Sequence, residues 1–186
     1  MKRLFDLLCS FLALLVLAIP MLIIALLVKL TSKGPILYWS DRVGRYNILF
    51  KMPKFRTMRI DTPAIATHLL VDPDRWLTPI GKFVRKSSMD ELPQLFSVLS
   101  GNMSIVGPRP ALFNQFDLLE LRTNKGVHVL IPGITGWAQI NGRDELPIPV
   151  KVEFDEYYLK NRTFMLDIKI IFRTFSKTVK GEGVQH

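Results

Sequence analysis

Asp90 and Glu91 stand side by side, after Ser87 and Ser88 and before an apolar pattern at Leu92, Leu95, Phe96 and Leu99. That is how a helix begins. Whether the helix starts at Asp90, or at Ser88 with Glu91 at capping-box spacing, both carboxylates are expected on its first turn. There the partial charge of the helix N-terminus keeps a carboxylate ionised, and free backbone N–H groups can face a phosphate. An ionised carboxylate is a competent nucleophile toward phosphorus, and two adjacent acids are hard oxygen ligands suited to holding magnesium against a diphosphate. Taken alone, an acidic pair at this place is also the pattern of a simple cap.

Its neighbours favour chemistry. Arg85 and Lys86 lie just upstream, and Arg109 is held between Pro108 and Pro110, whose fixed φ angles limit the backbone around it. A guanidinium positioned in this way can clamp phosphate oxygens bidentately, although Pro-Arg-Pro also describes a stiff exposed loop. Further along, IPGITGWAQINGR combines turn glycines with Trp137, Gln139, Asn141 and Arg143. The Asn141-Gly142 pair favours a tight turn that presents Arg143. Trp137 reads equally as core or as a base-stacking surface. No phosphate loop or dinucleotide fingerprint occurs, so a nucleotide would be held by scattered arginines and loops. His68 and His128 have no metal-ligand spacing and read as structural or surface residues.

These groups have to be held at a membrane. Leu7 to Val28 is almost wholly apolar, with Lys2 and Arg3 before it and Lys29 and Lys33 after it. About twenty such residues span a bilayer as a helix. Pro20 interrupts the run, removes a helical hydrogen bond and predicts a kink. The pieces on either side, roughly 20 Å and roughly 12 Å long, are each shorter than the hydrocarbon layer. Cations at both flanks suit a hairpin that enters and leaves on the cytoplasmic side. A kinked single-pass helix is the alternative. A cleaved signal peptide fits poorly, because no small-x-small cleavage site follows the run.

The chain of 186 residues is the size of one domain, and 48% of it is hydrophobic, enough to bury a core. The lone Cys9 excludes an internal disulfide and paired-thiol metal or redox sites. A net charge of +9 points to an anionic partner. The arginines sit in short motifs with prolines, glycines and acids, with no lysine-rich tail or recognition helix, which argues against nucleic acid. Short strands are expected near Ile36 to Trp39 and Ile48 to Phe50, a polar loop around Asp61 to Asp74, and helices from Met89 onward. From Phe164 to Lys180, Ile168, Ile171, Phe172, Phe175 and Val179 share one helical face, while Lys169, Arg173, Lys177 and Lys180 gather on another. That pattern suits a helix lying in the membrane interface.

The apolar N-terminus with its proline, SKGPILYWSDRVGR, KFRTM, SMDELPQL, GNMSIVGPRP, PGITGWAQINGR and FDEYYLKNRTFMLDIKII follow one another in an order that strongly resembles the bacterial sugar transferases, specifically the small monotopic phosphoglycosyl transferases. The resemblance covers nearly the whole chain. It implies an α+β, mainly helical fold. A re-entrant membrane segment (residues 1–33) would join a cytoplasmic catalytic domain (34–186) with interfacial amphipathic helices and a small β element, at the bacterial inner membrane. It implies transfer of a sugar-1-phosphate from a UDP-sugar to a polyprenyl phosphate such as undecaprenyl phosphate, with UMP released. Magnesium would be the cofactor and membrane phospholipids the surroundings. The nucleophile falls on Asp90 with Glu91 as partner, both placed to hold the metal, and the substrate-binding set on Lys54, Arg56, Arg85, Arg109, Gln139 and Arg143. The chain departs from the family pattern at Ile19-Pro20, where Ser-Pro is frequent, at Ile131, where arginine is common, and at Asn102, where aspartate is. Two other readings are a glycosyltransferase that moves only the sugar and releases UDP, and a non-catalytic module that binds anionic lipid or nucleotide.

Overall fold

The first element of the structure, a computed structural model that describes residues 1–63, 72–142 and 146–180, is a 30-residue helix α1, Lys2–Thr31. Its backbone stays helical through Pro20, so the proline is absorbed without ending the helix. The helix is long and apolar enough to cross a membrane by length and composition. Protein contacts are confined to its two ends: Asp6, Ser10, Ile24 and Val28 are buried, and no residue from Phe11 to Ile23 is. Leu12, Leu15, Val16 and Ile19 stand exposed, as apolar side chains do when their solvent is lipid.

Both ends are fastened by polar groups. Lys2 pairs with Asp167 at 2.8 Å, and Arg3 donates to the Val98 and Leu99 carbonyls. Buried Asp6 accepts from the Ser104 hydroxyl at 2.8 Å and from the Ile105 N–H at 3.2 Å. At the other end Arg56 is buried and donates to the Lys33 carbonyl and to the Ser32 carbonyl and hydroxyl. Ser32 is the C-cap and Lys33 the residue after it, so the guanidinium holds the chain where it leaves α1. Ile24 and Val28 pack with Phe55 and Val84, alongside Met89 and Leu92.

After α1 come β1, Leu37–Val43, and β2, Leu49–Phe55. They form an antiparallel hairpin around a tight turn in which Tyr46 and Asn47 take positive φ. Both strands are longer than the expected segments, because pairing continues through Ser40-Asp41-Arg42 and Lys51 to Lys54, where charges on an exposed face hide the apolar alternation. Directly paired residues share a face. Ser40 opposite Met52, Tyr38 opposite Lys54 and Arg42 opposite Phe50 therefore line one side of the hairpin.

The chain continues through α2, Gly81–Lys86, a 3-10 turn at Met89–Glu91, α3, Gln94–Ser100, β3, Ser104–Val106, and β4, Ala111–Leu112. It ends with α4, Phe116–Asn124, β5, Gly133–Thr135, α5, Trp137–Ile140, α6, Ile148–Asn161, and α7, Phe164–Lys180. The expected α+β, mainly helical class holds. β4 joins the far edge of β1, and β3 pairs in parallel with β5. That parallel pair needs Gly107 and Gly133 just where it leads into Pro108, because a Cβ on either would collide with the backbone of the other segment. The short strands β3 to β5 fall within the region read from sequence as helical; each is too brief to establish a period.

The C-terminal half is braced by a buried ion pair. Arg122 of α4 donates from Nε at 2.9 Å and from Nη2 at 2.6 Å to Asp155 of α6, and its Nη1 holds the Arg109 carbonyl at 2.9 Å. Buried Tyr158 donates to Asp167 at 2.7 Å. In α7, Ile170 and Asp167 are buried, whereas Met165, Ile168, Phe172 and Phe175 are exposed. Of the expected apolar face, Ile168, Phe172 and Phe175 are exposed, while Ile171 packs against the core cluster of Val106 and Ile170; the side chains of Val179 and Lys180 lie outside the described set.

Removing one member of a buried pair strands its partner's charge. Asp155→Ala is expected to lower unfolding stability by about 3–5 kcal/mol, measured by denaturant titration of the detergent-solubilised chain. A double variant, Arg122→Met with Asp155→Leu, should lose less than either single change.

Candidate active site

Asp90 and Glu91 do not lie on the first turn of α3, as the sequence suggested, but in the 3-10 turn immediately before it. Pro93 fits better at the N-cap of the α-helix than inside it, and Ser88 adopts a left-handed φ of 56° without capping through its side chain. The capping-box bond is therefore absent. Leu92 and Pro93 nevertheless keep helical angles, so the turn runs straight into α3.

Around this turn three elements deliver cations. Lys54, at the end of β2, donates to Glu91 Oε1 at 2.7 Å. Arg109, on the loop between β3 and β4, donates to the same oxygen at 3.3 Å. Arg85, in the last turn of α2, donates from Nε to the Thr57 hydroxyl at 2.9 Å, and its charge acts on Asp90. Lys54 also acts on Asp90.

The two carboxylates are thereby driven apart. Burial raises the Glu91 carboxyl, but Arg109 and Lys54 outweigh it and hold it well below the usual carboxylate range. Burial dominates at Asp90, with Glu91 adding to it and with Lys54 and Arg85 opposing, and its carboxyl is pushed up to about 6. One acid is a fixed charge bound to two cations, while its neighbour titrates just below neutrality. This is the environment-driven separation by which adjacent carboxyls take different roles.

The remaining expected residues are distributed differently. Arg56, two residues from Lys54, follows the last residue of β2, Phe55, and there its side chain is turned to the end of α1. Gln139 is buried on α5 beside Gly136, at the level of Gly107, and its amide has no hydrogen-bond partner among the described residues. Arg143 lies outside the described residues, as does His68. Trp137 stacks on Tyr157 at 5.2 Å and packs against the core cluster of Val106 and Tyr158, which decides its reading in favour of packing.

Two groups near the site were not singled out in the sequence. Arg42 reaches from β1 to the Pro110 carbonyl at 3.2 Å, and Gln94 opens α3 with its side chain buried. Arg42 follows from the hairpin register once the strands are extended. Among the described residues no group of three or more acids, histidines or cysteines could hold a metal ion. The donor set at the site is the pair Asp90 and Glu91, which fits magnesium only in the mode where a substrate's phosphates complete the coordination.

Comparison with known proteins identifies the family of the chain. The family model described as bacterial sugar transferase matches residues 1–181. The chain is similar to a Bacillus subtilis protein named uncharacterized sugar transferase EpsL, 42% identical over 187 residues that cover 100% of this chain and 90% of that protein. It is 38% identical, over 99% of its own length and 45% of the relative, to the UDP-N-acetylgalactosamine-undecaprenyl-phosphate N-acetylgalactosaminephosphotransferase of Aeromonas hydrophila. It is 40% identical, over 95% of its own length and 40% of the relative, to the UDP-glucose:undecaprenyl-phosphate glucose-1-phosphate transferase of Escherichia coli. The chain thus spans less than half the length of the latter two. Matched by the family model from its first residue to within a few of its last, the chain belongs to the bacterial sugar transferase family.

Proposed function

We propose that this protein transfers a sugar-1-phosphate from a UDP-sugar to undecaprenyl phosphate in two steps through Asp90. The observation that carries the reading is the separation of the two acids: Lys54 and Arg109 both donate to Glu91, while the Asp90 carboxyl is bonded to its own backbone N–H and is pushed up to about 6. The carboxylate that is not tied up by two cations is the one able to attack. The donor and acceptor classes are those in the names of the Aeromonas and Escherichia relatives.

In the first step a carboxylate oxygen of Asp90 forms a bond to the sugar-bearing phosphorus. The bond from that phosphorus to the bridging oxygen breaks, its electron pair stays with that oxygen, and UMP leaves. In the second step a phosphate oxygen of the polyprenyl acceptor attacks the same phosphorus. Asp90 is released as a carboxylate, and the product is a diphosphate-linked sugar. Arg85, Arg109 and Lys54 supply positive charge beside the phosphoryl group, and Arg143 belongs to the same phosphate-binding set. Asp90 and Glu91 would hold magnesium, which supplies charge neutralisation of the diphosphate.

For the membrane part, the reading is a re-entrant α1 with both ends on the cytoplasmic side of the bacterial inner membrane. Its support is that Lys2, Arg3 and Asp6 at one end and Ser32 and Lys33 at the other bond to the same folded unit. The exposed Met165, Ile168, Phe172 and Phe175 of α7, with Phe83 and Phe96 beside the site, supply an apolar surface for the interface.

Three outcomes test this. With magnesium and a panel of UDP-sugars but no lipid, intact mass spectrometry should show a sugar-phosphate adduct on Asp90 and UMP in solution, both lost in Asp90→Asn. UMP release that strictly requires the lipid would replace the two-step scheme with direct transfer, and release of UDP would replace it with sugar transfer alone. The rate of the lipid-free step should rise with pH through about 6 and level off above it, because protonated Asp90 is not nucleophilic; a rate that falls over that range would remove Asp90 as the attacking group. Cysteines introduced beside Met1 and at Lys33, which is exposed, should both react with label from the cytoplasmic side only, and periplasmic labelling beside Met1 would rule out the hairpin.

A further inference from the structure

We propose that Thr57 is a positioning residue for the transfer: its buried hydroxyl holds the Arg85 guanidinium in place beside the Asp90 carboxyl. This rests on the transferase reading above and brings in a residue with no role in that scheme.

Arg85 needs an outside hold. It stands in the last turn of α2, which is six residues long, and a helix so short has little stability of its own. The guanidinium is planar and rigid, so a bond at Nε fixes the direction in which its two terminal nitrogens point. The Thr57 hydroxyl accepts that bond at 2.9 Å. Thr57 is 6% exposed, and a hydrogen bond shielded from water is electrostatically stronger than the same bond at the surface.

The backbone of Thr57 makes the hold rigid. Its carbonyl accepts from the Thr78 N–H at 2.9 Å and from the Thr78 hydroxyl at 3.3 Å. The start of α2 lies against the same carbonyl, so closely that a Cβ on Gly81 would collide with it. Thr57 therefore grips α2 at both ends, the first through its carbonyl and the last through its hydroxyl. Val84, next to Arg85, is buried in the cluster that holds Phe55 and the end of α1.

The acidic turn is tied to the same piece. The Arg85 carbonyl accepts from the Ser88 N–H at 2.8 Å, and the Ser88 carbonyl from the Glu91 N–H at 3.2 Å. The Arg85 charge acts on Asp90. Lys54, three residues before Thr57, bonds Glu91 directly. One short segment of chain thus reaches both acids: Lys54 meets Glu91 by its own ammonium, and Thr57 addresses Asp90 through Arg85. In the first step negative charge shifts toward the phosphate that leaves, and a cation already fixed beside the phosphorus lowers the barrier without having to reorient.

A group that acts in this way changes turnover more than binding. The test follows UMP release in the lipid-free step, with the full chain in detergent, magnesium and a UDP-sugar that wild type accepts. Thr57→Val, which keeps the shape and removes the hydroxyl, should lower the limiting rate about tenfold, the scale of loss from a misplaced catalytic group. The donor concentration for half that rate should stay within about twofold, and Thr57→Ser should restore most of the rate. In an Arg85→Met background, which has no Nε to hold, Thr57→Val should cost nothing further. Equal losses in both backgrounds would show that Thr57 acts without Arg85 and would overturn the proposal, as would an unchanged rate in Thr57→Val or a loss confined to donor affinity.

A direct readout accompanies the rates. With isotope-labelled arginine, the Nε–H resonance that disappears in Arg85→Met should exchange slowly with water in wild type and in Thr57→Ser, and fast in Thr57→Val. Fast exchange in wild type would mean that the bond does not persist in solution, and also overturns the proposal. Should Thr57→Val fail to fold, Thr57→Ala carries the comparison with Thr57→Ser; failure of both to fold would assign Thr57 to the fold and overturn its role in transfer. UMP release by wild type together with normal rates in Thr57→Val removes this proposal and leaves the transferase reading standing, whereas no release by wild type from any donor removes both.

Discussion

Glu91 Oε1 accepts from Lys54 at 2.7 Å and from Arg109 at 3.3 Å, and because those cations stand on the β hairpin and on the proline-bounded loop, one oxygen atom joins three remote parts of the chain. Lys54 is 37 positions from Glu91 and Arg109 is 18. In a partly buried setting such charge-assisted bonds are strong and directional. Their electrostatic effect is as important as their geometry. With the cations committed to Glu91, Asp90 is left in a desolvated position where burial controls its titration.

The framework behind this oxygen is built to hold the loop still. Arg122 spans from Asp155 to the Arg109 carbonyl, so the arginine that meets Glu91 is fixed at its backbone by a second arginine. β3 and β5 run side by side immediately before Pro108, at a separation only glycine permits. The loop is clamped at its start by backbone packing, at its centre by Arg122 and at its end by β4 joining β1. Pre-organisation of this kind removes the need to reorganise charged groups during reaction.

Much of this was legible in the sequence, for reasons that can be named. The acidic pair, the proline-flanked arginine and the apolar N-terminus are local patterns, and the α+β, mainly helical class followed from them together with the resemblance to a family. What the sequence concealed is non-local. The capping-box spacing at Ser88 gave no hint that Ser88 would take a left-handed conformation and move the acids off the α-helix. Arg56 and Lys54 look alike in KFRTM, yet β2 ends between them at Phe55, and one side chain goes to the site and the other to the end of α1. Asp6, Arg122 and Asp155 each place a charge on an otherwise apolar face, which was a readable signal. An ionisable residue at the edge of a membrane segment carries a role by default, and Asp155 shares its buried stripe with Val152 and Tyr158.

The second half of α1 does more than fix the protein to a bilayer. Ile24 and Val28 pack in the cluster that includes Met89 and Leu92, and Asp90 and Glu91 are the two residues between them. The lever arm is the stretch from Phe11 to Ile23, none of it buried, and its fulcrum is the cluster that flanks the candidate site. A change in the tilt of that arm, set by bilayer thickness or lateral pressure, bears directly on the turn that carries Asp90 and Glu91. The lipid is thus mechanically in series with the acidic turn.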